Sequence, residues 1–524
     1  VTDATASLAA SDRSTDPGKK PISKLVLASY AAPATPLALV GLPMAVFLPA
    51  IYADADGFGL SLGLVGLIIT LSRFTDVITD PIIGFVSDRI RTPWGRRKPF
   101  VLLGTPIFAA GIWLLFVPPF EFTEVSLLGF EFNIGYPYLF AMVALVYLGS
   151  TIKDLPYYAW GAELSRNYHE RTLITSWREG FSVTGSLLSA FVPAIILFFG
   201  YTKPTDAVYF LSIALCIVMP IVVANALIVV PEYPVAVSLK KVPLREGLKV
   251  VLKNGPYMRL ITIFAFSMIG SAMTNSLSFF FVKHVLLAGS LYGLYLAPYF
   301  LSQIAAIPLW FKLSRKIGKH RATMWAIGWY AFWSCFIPII AVSPQGWYDA
   351  FEISRLISFL PAATVDAVTA HFEGVPTGKF LFFVVIMCLK GSAIGALSAL
   401  PYAMAADVVD IDTTQTGEQR AGAYFSIWSM IRKAAYAVGI TVGTTLAVLF
   451  GFDSLADPMA TTNTAFSLLM LACLYSVVPA LFKFVAMPLL WNYPLTEERL
   501  EEIQAEAEKV LAEKNAEAAR LEGR

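Results

Sequence analysis

Apolar runs of about 20 residues recur along the whole chain, separated by short polar stretches. A helix needs about that many residues to cross the hydrocarbon core of a bilayer. The pattern predicts about twelve spans. The first set runs approximately 27–51, 62–87, 99–117, 138–163, 173–199 and 207–230. The second runs approximately 257–284, 289–313, 320–342, 378–405, 421–450 and 464–491. The expected fold class is an all-α polytopic membrane protein built as two six-helix bundles. A disordered polar tail (1–26) precedes the first bundle (27–230), and a basic linker (231–256) joins it to the second (257–491). A long insertion, 343–377, interrupts the second bundle, and its segment WYDAFEISRLISFL is amphipathic at helical spacing. It is expected as a helix on the membrane surface or a lid. Residues 492–524 read as a charged helix with Thr496 as N-cap.

Charge gives the orientation. Lys and Arg collect in the tail, after span two (Arg89, Arg91, Arg96, Arg97, Lys98), in the centre, and after span eight (Lys312, Arg315, Lys316, Lys319, Arg321). The alternate loops are poor in Lys and Arg, and several are acidic. The positive-inside rule then places both termini in the cytoplasm. Span two ends in GFVSDRIRTPWGRRKP and span eight in FKLSRKIGKHR, a basic glycine-containing turn at the matching place in each half. Asp88, Arg89, Gly95, Arg96 and Arg97 are the gating or topology candidates of that turn. Six spans, a basic linker and six more spans are the pattern of a duplicated transporter.

Composition narrows the function classes. The chain of 524 residues is 57% hydrophobic and only 15% charged, against about 25% charged in a soluble domain. The four Cys all lie in apolar runs and the four His are scattered, so neither a metal centre nor a nucleophile–base pair is expected. With a net charge of +2 nothing points to nucleic acid. The expected partners are a small organic solute and membrane lipids.

The candidate chemistry lies inside the spans. Asp76 and Asp80 are four apart, on one helical face, in an otherwise apolar run. One carboxylate at the middle of a membrane helix costs about 2.5–3.5 kcal/mol on insertion scales, so two on one face need a cation, a proton or a basic partner. Pro81 deprives the Val77 carbonyl of its helical donor. That carbonyl, the two carboxylates and the Thr79 hydroxyl would make an oxygen cage for a small hard cation such as Na+. Pairing with Arg73 or a neighbouring helix is the alternative, and Lys433 of span eleven is a natural counter-charge from the other half. In span four, Thr151, Asp154 and Tyr158 share one face, with Tyr157 and Trp160 beside them. A carboxylate among aromatic rings suits a polar ligand with apolar faces. The alternative is that Asp154 neutralises Lys153 or Arg178. Lys390, alone in an apolar run of span ten, either snorkels or faces an anionic ligand.

These segments resemble the glycoside–pentoside–hexuronide:cation symporter family of the major facilitator superfamily, the melibiose-permease type. The similarity rests on TDVITDPIIGFVSDRIRTPWGRRKPF, on KDLPYYAWGAEL with SWREGFS after it, and on AADVVDIDTTQTGEQRAGAYFSIWSMIRKAA. The resemblance implies the major facilitator fold and no enzymatic activity. It implies a cation site of Asp76, Asp80, Thr79 and Thr151. It also implies substrate contacts from Asp154 and Tyr158 with Trp160 nearby, and Arg178 and Lys433 supporting both sites. Two positions depart from the family. Thr79 stands where Asn is usual, which makes H+ a rival of Na+ as coupling ion. Leu37 and Ala38 stand where a sugar-gripping Lys-Asp pair is usual. The expected function is cation-coupled symport of a sugar, glycoside or related solute across the cytoplasmic (inner) membrane. An amphipathic substrate such as a lysolipid, or an anionic sugar, is the alternative. A receptor or an uncoupled uniporter is the rival class.

Overall fold

The computed structural model describes residues 22–232, 254–356, 375–401 and 421–491, less short stretches within them, with isolated residues beyond. The tail to residue 21, most of the linker, the acidic segment before span eleven and the C-terminal helix expected at 492–524 lie outside the described residues.

Twelve helical spans are present among the described residues. Nine are long and apolar enough to cross a membrane: Lys24–Ala53, Lys98–Phe116, Gly135–Gly161, Thr205–Val229, Gly255–Val285, Gly289–Ile317, Lys319–Val342, Thr377–Ser398 and Ala465–Trp491. The other three are Leu62–Arg89 (span two), Tyr168–Leu197 (span five) and Ala421–Leu449 (span eleven), of 28, 30 and 29 residues. Those three carry Asp76 and Asp80, Arg178, and Lys433. The chain is therefore a multi-pass all-α membrane protein, with both ends of the bundle on one face. That face is called here the terminal face and its opposite the far face.

Span one is broken, as its prolines predict. Helices Lys24–Ala31 and Ala34–Leu39 are followed by a π turn, Pro43–Phe47, and a last helix, Leu48–Ala53. Each proline removes an N–H from the ladder and the backbone re-registers around it. The two glycine-containing turns share a positive φ but not a backbone path: Gly95 (φ +114°) lies in the loop between Arg89 and Lys98 and bridges Thr92, whereas Gly318 (φ +86°) alone joins spans eight and nine.

Two loops differ from expectation. Between spans three and four, strands β1 (Glu124–Leu127) and β2 (Phe130–Asn133) pair antiparallel on the far face. The insertion does not start as one amphipathic helix. It forms a 3₁₀ helix, Gln345–Phe351, and a short turn, Ile353–Leu356, separated by an extended Glu352. The reason is polar. The Glu352 carboxylate accepts from the Thr377 hydroxyl and from the Gly378 N–H, which ties the insertion to the start of span ten.

The two bundles are locked together toward the far face. Spans two and eleven run antiparallel as a zipper. Thr70 Oγ1 lies 2.7 Å from the Ala437 carbonyl and 2.6 Å from Thr441 Oγ1, and Thr441 Oγ1 donates to the Gly66 carbonyl. Gly66 lets the Thr444 side chain approach where any Cβ would collide with it. Gly293 of span eight gives Pro193 of span five the same room. Above them Lys283 of span seven reaches back to the end of span one. Its Nζ lies 2.7 and 2.9 Å from the Asp54 carboxylate and 2.7 Å from Asp56. One hydrophobic core runs through the N-terminal bundle into the far-face part of the C-terminal bundle. A second core (Tyr257, Phe264, Trp310, Tyr330, Tyr424, Leu490) belongs to the C-terminal bundle alone. These contacts hold the two bundles together on the far face.

Burial pushes Asp54 above the ordinary carboxylate range despite Lys283, whereas the hydrogen bond from Lys283 draws the more exposed Asp56 below it. As pH falls, Asp54 therefore takes up its proton first and Asp56 is the partner that keeps Lys283 in place. Lys283→Met leaves Asp54 buried without its cation and should cost about 3 kcal/mol of stability. The loss reads as a lower melting temperature of the purified protein. Adding Asp54→Asn should restore most of it. A single variant that melts with the wild type would refute the clamp.

Candidate functional site

The site forms where span two meets spans four and eleven. Asp76 is 5% exposed and Asp80 partly buried. Lys433 Nζ bridges them across the two halves, 3.2 Å from Asp76 Oδ2 and 2.7 Å from Asp80 Oδ2. Thr151 Oγ1 donates to Asp80 Oδ1 at 2.7 Å. Arg73 lies one turn away, with Nη1 3.8 Å from Asp76 Oδ2 and its guanidinium 3.9 Å above the Tyr147 ring. Two carboxylates thus face two cations, and the cluster is neutral as it stands. It still has unused acceptors. Asp76 Oδ1 and Thr79 Oγ1 are buried with no hydrogen-bond partner. They are three residues apart on one helix, so they neighbour each other. An orphaned carboxylate oxygen beside an orphaned hydroxyl fits a hard cation or a proton. Of the cation-site candidates, the structure brings Asp76, Asp80, Thr151 and Lys433 into contact, and Thr79 precedes Asp80 on the same helix.

The second acid site takes the pairing named above as the alternative, Asp154 with Lys153. Asp154 is held by its own helix. Lys153 Nζ lies 2.5 Å from Oδ1, and Ser150 Oγ donates to Oδ2 at 2.5 Å. Lys153 is 1% exposed, its ammonium 4.5 Å from the Phe108 ring centroid. Gly104 of span three makes that packing possible, since a Cβ there would meet the Lys153 backbone and Cβ. Tyr158 is exposed and carries the Arg178 guanidinium 4.7 Å above its ring. Arg178 in turn pairs with Glu179 at 2.7 Å. Asp154, Tyr158 and Arg178 thus form one partly open polar patch.

Three candidates fall elsewhere. Trp160 is 1% exposed, lies edge-on to Tyr30, and donates Nε1 to the Pro231 carbonyl at 3.0 Å. It packs beneath the patch and does not line it. Lys390 neither snorkels nor joins the patch. It is 0% exposed inside the C-terminal bundle, over the rings of Tyr330 and Tyr475. An unbranched chain of four methylenes is long enough to turn inward, and the aromatic faces draw it there. In the basic turn, Glu232 caps span three by accepting from the N–H groups of Arg96, Arg97 and Lys98 at 2.5, 2.8 and 3.3 Å. Arg97 Nη1 also donates to Ser87 Oγ. These residues brace their own bundle. The side chains of Asp88, Arg89, Glu163, Arg166 and Arg171 lie outside the described residues. The sequence reading missed Lys283 as the cross-bundle clamp. The nearest signal was a lone Lys at the end of span seven opposite the Asp54 and Asp56 pair.

Comparison with known proteins gives the family and the fold. The family described as MFS/sugar transport protein matches residues 29–497. A putative glycoside/cation symporter, YagG of Escherichia coli, is 24% identical over 460 residues, covering 86% of this chain and 88% of that one. A sodium-dependent lysophosphatidylcholine symporter 1-A of Danio rerio is 22% identical, covering 83% and 79%. Among solved structures, the nucleoside transporter NupG superposes with a TM-score of 0.57 at 13% identity, covering 90% of this chain and all of that one. A D-xylose-proton symporter gives 0.57 at 13%, covering 91% and 98%. At such identity the structures show the fold alone.

The exposure of the Lys153–Asp154 pair decides which half matters more for stability. Asp154→Asn leaves a buried ammonium unpaired and should cost about 3 kcal/mol. Lys153→Met leaves a carboxylate that is 20% exposed and still bonded to Ser150, and should cost about 1 kcal/mol. Thermal melts of the two variants check the order.

Proposed function

Given that the chain belongs to the MFS/sugar transport family, we propose that it is a cation-coupled symporter of a sugar, glycoside or related hydroxylated solute. It is a transporter and not an enzyme. In this reading it sits in the cytoplasmic membrane with its terminal face inside, and the far-face clamp is the closed external gate. The observation that carries the reading is Lys433 lying between Asp76 and Asp80 while Asp76 Oδ1 and Thr79 Oγ1 stand unused. An ammonium occupies the place where a coupling Na+ or H+ would act.

The proposed mechanism follows from charge. A coupling cation at Asp76 and Asp80 competes with Lys433 for the same oxygens. Its arrival loosens the only carboxylate–ammonium contact that ties span two to span eleven among the described residues. Asp80 also accepts from Thr151, three residues before Asp154 on span four, so the cation site and the solute patch share one helix. Solute hydroxyls bind the patch of Asp154, Tyr158 and Arg178. Their affinity rises when the cation site is filled, and linkage makes the effect reciprocal.

A second reading keeps the symport and changes the solute. An apolar groove of about 470 Å³ runs between spans five, eight and ten, lined by Phe191, Ile195, Leu294, Leu301 and Phe380 among others. It suits the tail of an amphipath, and a lysophosphatidylcholine symporter is among the relatives.

Melting shifts across sugars, uronides and lysolipids, in Na+, Li+ or choline at two pH values, separate the readings. A sugar hit that tightens with Na+ or acid supports the first. A hit confined to lysolipids supports the second. Asp76→Asn and Asp80→Asn should each abolish cation-dependent accumulation in sealed vesicles, and retained accumulation would sink the mechanism. Lys433→Met removes the internal competitor, so apparent cation affinity should rise about tenfold, equivalent to 1.4 kcal/mol. A fall in affinity would show that Lys433 does not compete.

A further inference from the structure

The C-terminal bundle holds two lysines that the proposed mechanism does not use. Lys483 of span twelve is 2% exposed and fully satisfied: its Nζ donates to the Ser267 carbonyl, Ser267 Oγ and Ser271 Oγ at 2.9, 2.9 and 2.8 Å. Lys390 of span ten is 0% exposed, and its Nζ has no hydrogen-bond partner. Both ammonium groups stand over the same ring, Tyr330, at 4.7 and 5.1 Å from its centroid. Lys390 also stands 5.2 Å from Tyr475.

The surroundings are rich in donors and poor in acceptors. No Asp or Glu occurs in the described parts of spans seven to twelve. The serine oxygens nearest the pair are used by Lys483. The Tyr475 hydroxyl lies 3.3 Å from the Met387 sulfur, a weak acceptor, and is also hydrogen-bonded to the Tyr295 side chain. Trp333 Nε1, one turn from Tyr330 on span nine, is a further buried donor without a partner. Aromatic faces attract an ammonium, but they offer no lone pairs to its three N–H groups. A water molecule would supply an acceptor and leave the charge uncompensated. A small negative acceptor would supply both the lone pairs and the counter-charge.

We propose that the C-terminal bundle binds a small monovalent anion, of the size and chemistry of chloride, against Lys390, with Tyr475 and Lys483 as its neighbours. The site is separate from the Asp76–Asp80–Lys433 cluster. Because Lys390 is fully enclosed, the ligand is a free ion and not the acid group of a transported solute. The anion holds spans nine, ten and twelve together through their shared donors.

The test uses the purified full chain in sodium gluconate, with chloride or bromide replacing gluconate at constant Na+ and ionic strength. The melting temperature should rise saturably with chloride and bromide. Lys390→Met should remove the rise while leaving cation-dependent stabilisation at Asp76 and Asp80 in place. Bromide should give anomalous density beside residue 390. A wild-type melting temperature equal in all three salts would overturn the proposal, and this holds even if the variant fails to fold. A full halide shift retained in Lys390→Met would also overturn it. So would competition between chloride and an acidic sugar, which would put the group on the solute path.

Discussion

Two carboxylates one helical turn apart inside a membrane must be neutralised, and the Lys433 ammonium between Asp76 and Asp80 does this from the opposite half of the molecule. Much of the structure answers to that constraint. Neither half is balanced at this point alone: span two brings two acids and one Arg, and span eleven brings the missing cation. The contact therefore joins the bundles by charge in a place where lipid and protein are equally apolar and burial gives little drive for association.

The same seam explains the small residues around it. Gly66, Thr70, Thr441 and Thr444 bring the backbones of spans two and eleven close enough for hydroxyl-to-carbonyl bonds. Gly293 against Pro193 does so for spans eight and five. Small residues and hydroxyls are the general means by which membrane helices approach. The Asp54–Lys283–Asp56 contact closes the far face above them. The C-terminal bundle also has a second core of its own.

Charge is divided unequally between the halves. The described membrane spans of the N-terminal bundle hold Asp76, Asp80 and Asp154, with Glu179 and Asp206 nearer their ends, while those of the C-terminal bundle hold no acid and bury Lys390 and Lys483. Asp154 is balanced within its own helix by Lys153 and Asp76 and Asp80 across the interface by Lys433, which leaves the two C-terminal lysines with only neutral oxygens and aromatic rings.

Hydrophobic length and charge placement determined, from the sequence alone, the spans, the two halves and the Asp76–Asp80 pair with Lys433 as its counter-charge. Those features are local: a bilayer requires about 20 apolar residues, and a buried acid requires a partner whatever the fold. Tertiary structure decided which partner each charge takes. Lys153 and Arg178 were both within reach of Asp154 on the sequence, and packing of Phe108 and Gly104 around Lys153 chose the first. Trp160 and Lys390 carry the side chains of a binding site but sit in the packing, because the rotation of a nearly all-apolar helix is set by its neighbours and not by its own periodicity. Lys283 meets Asp54 only because span seven folds against the end of span one, a contact 229 residues apart that no local pattern encodes.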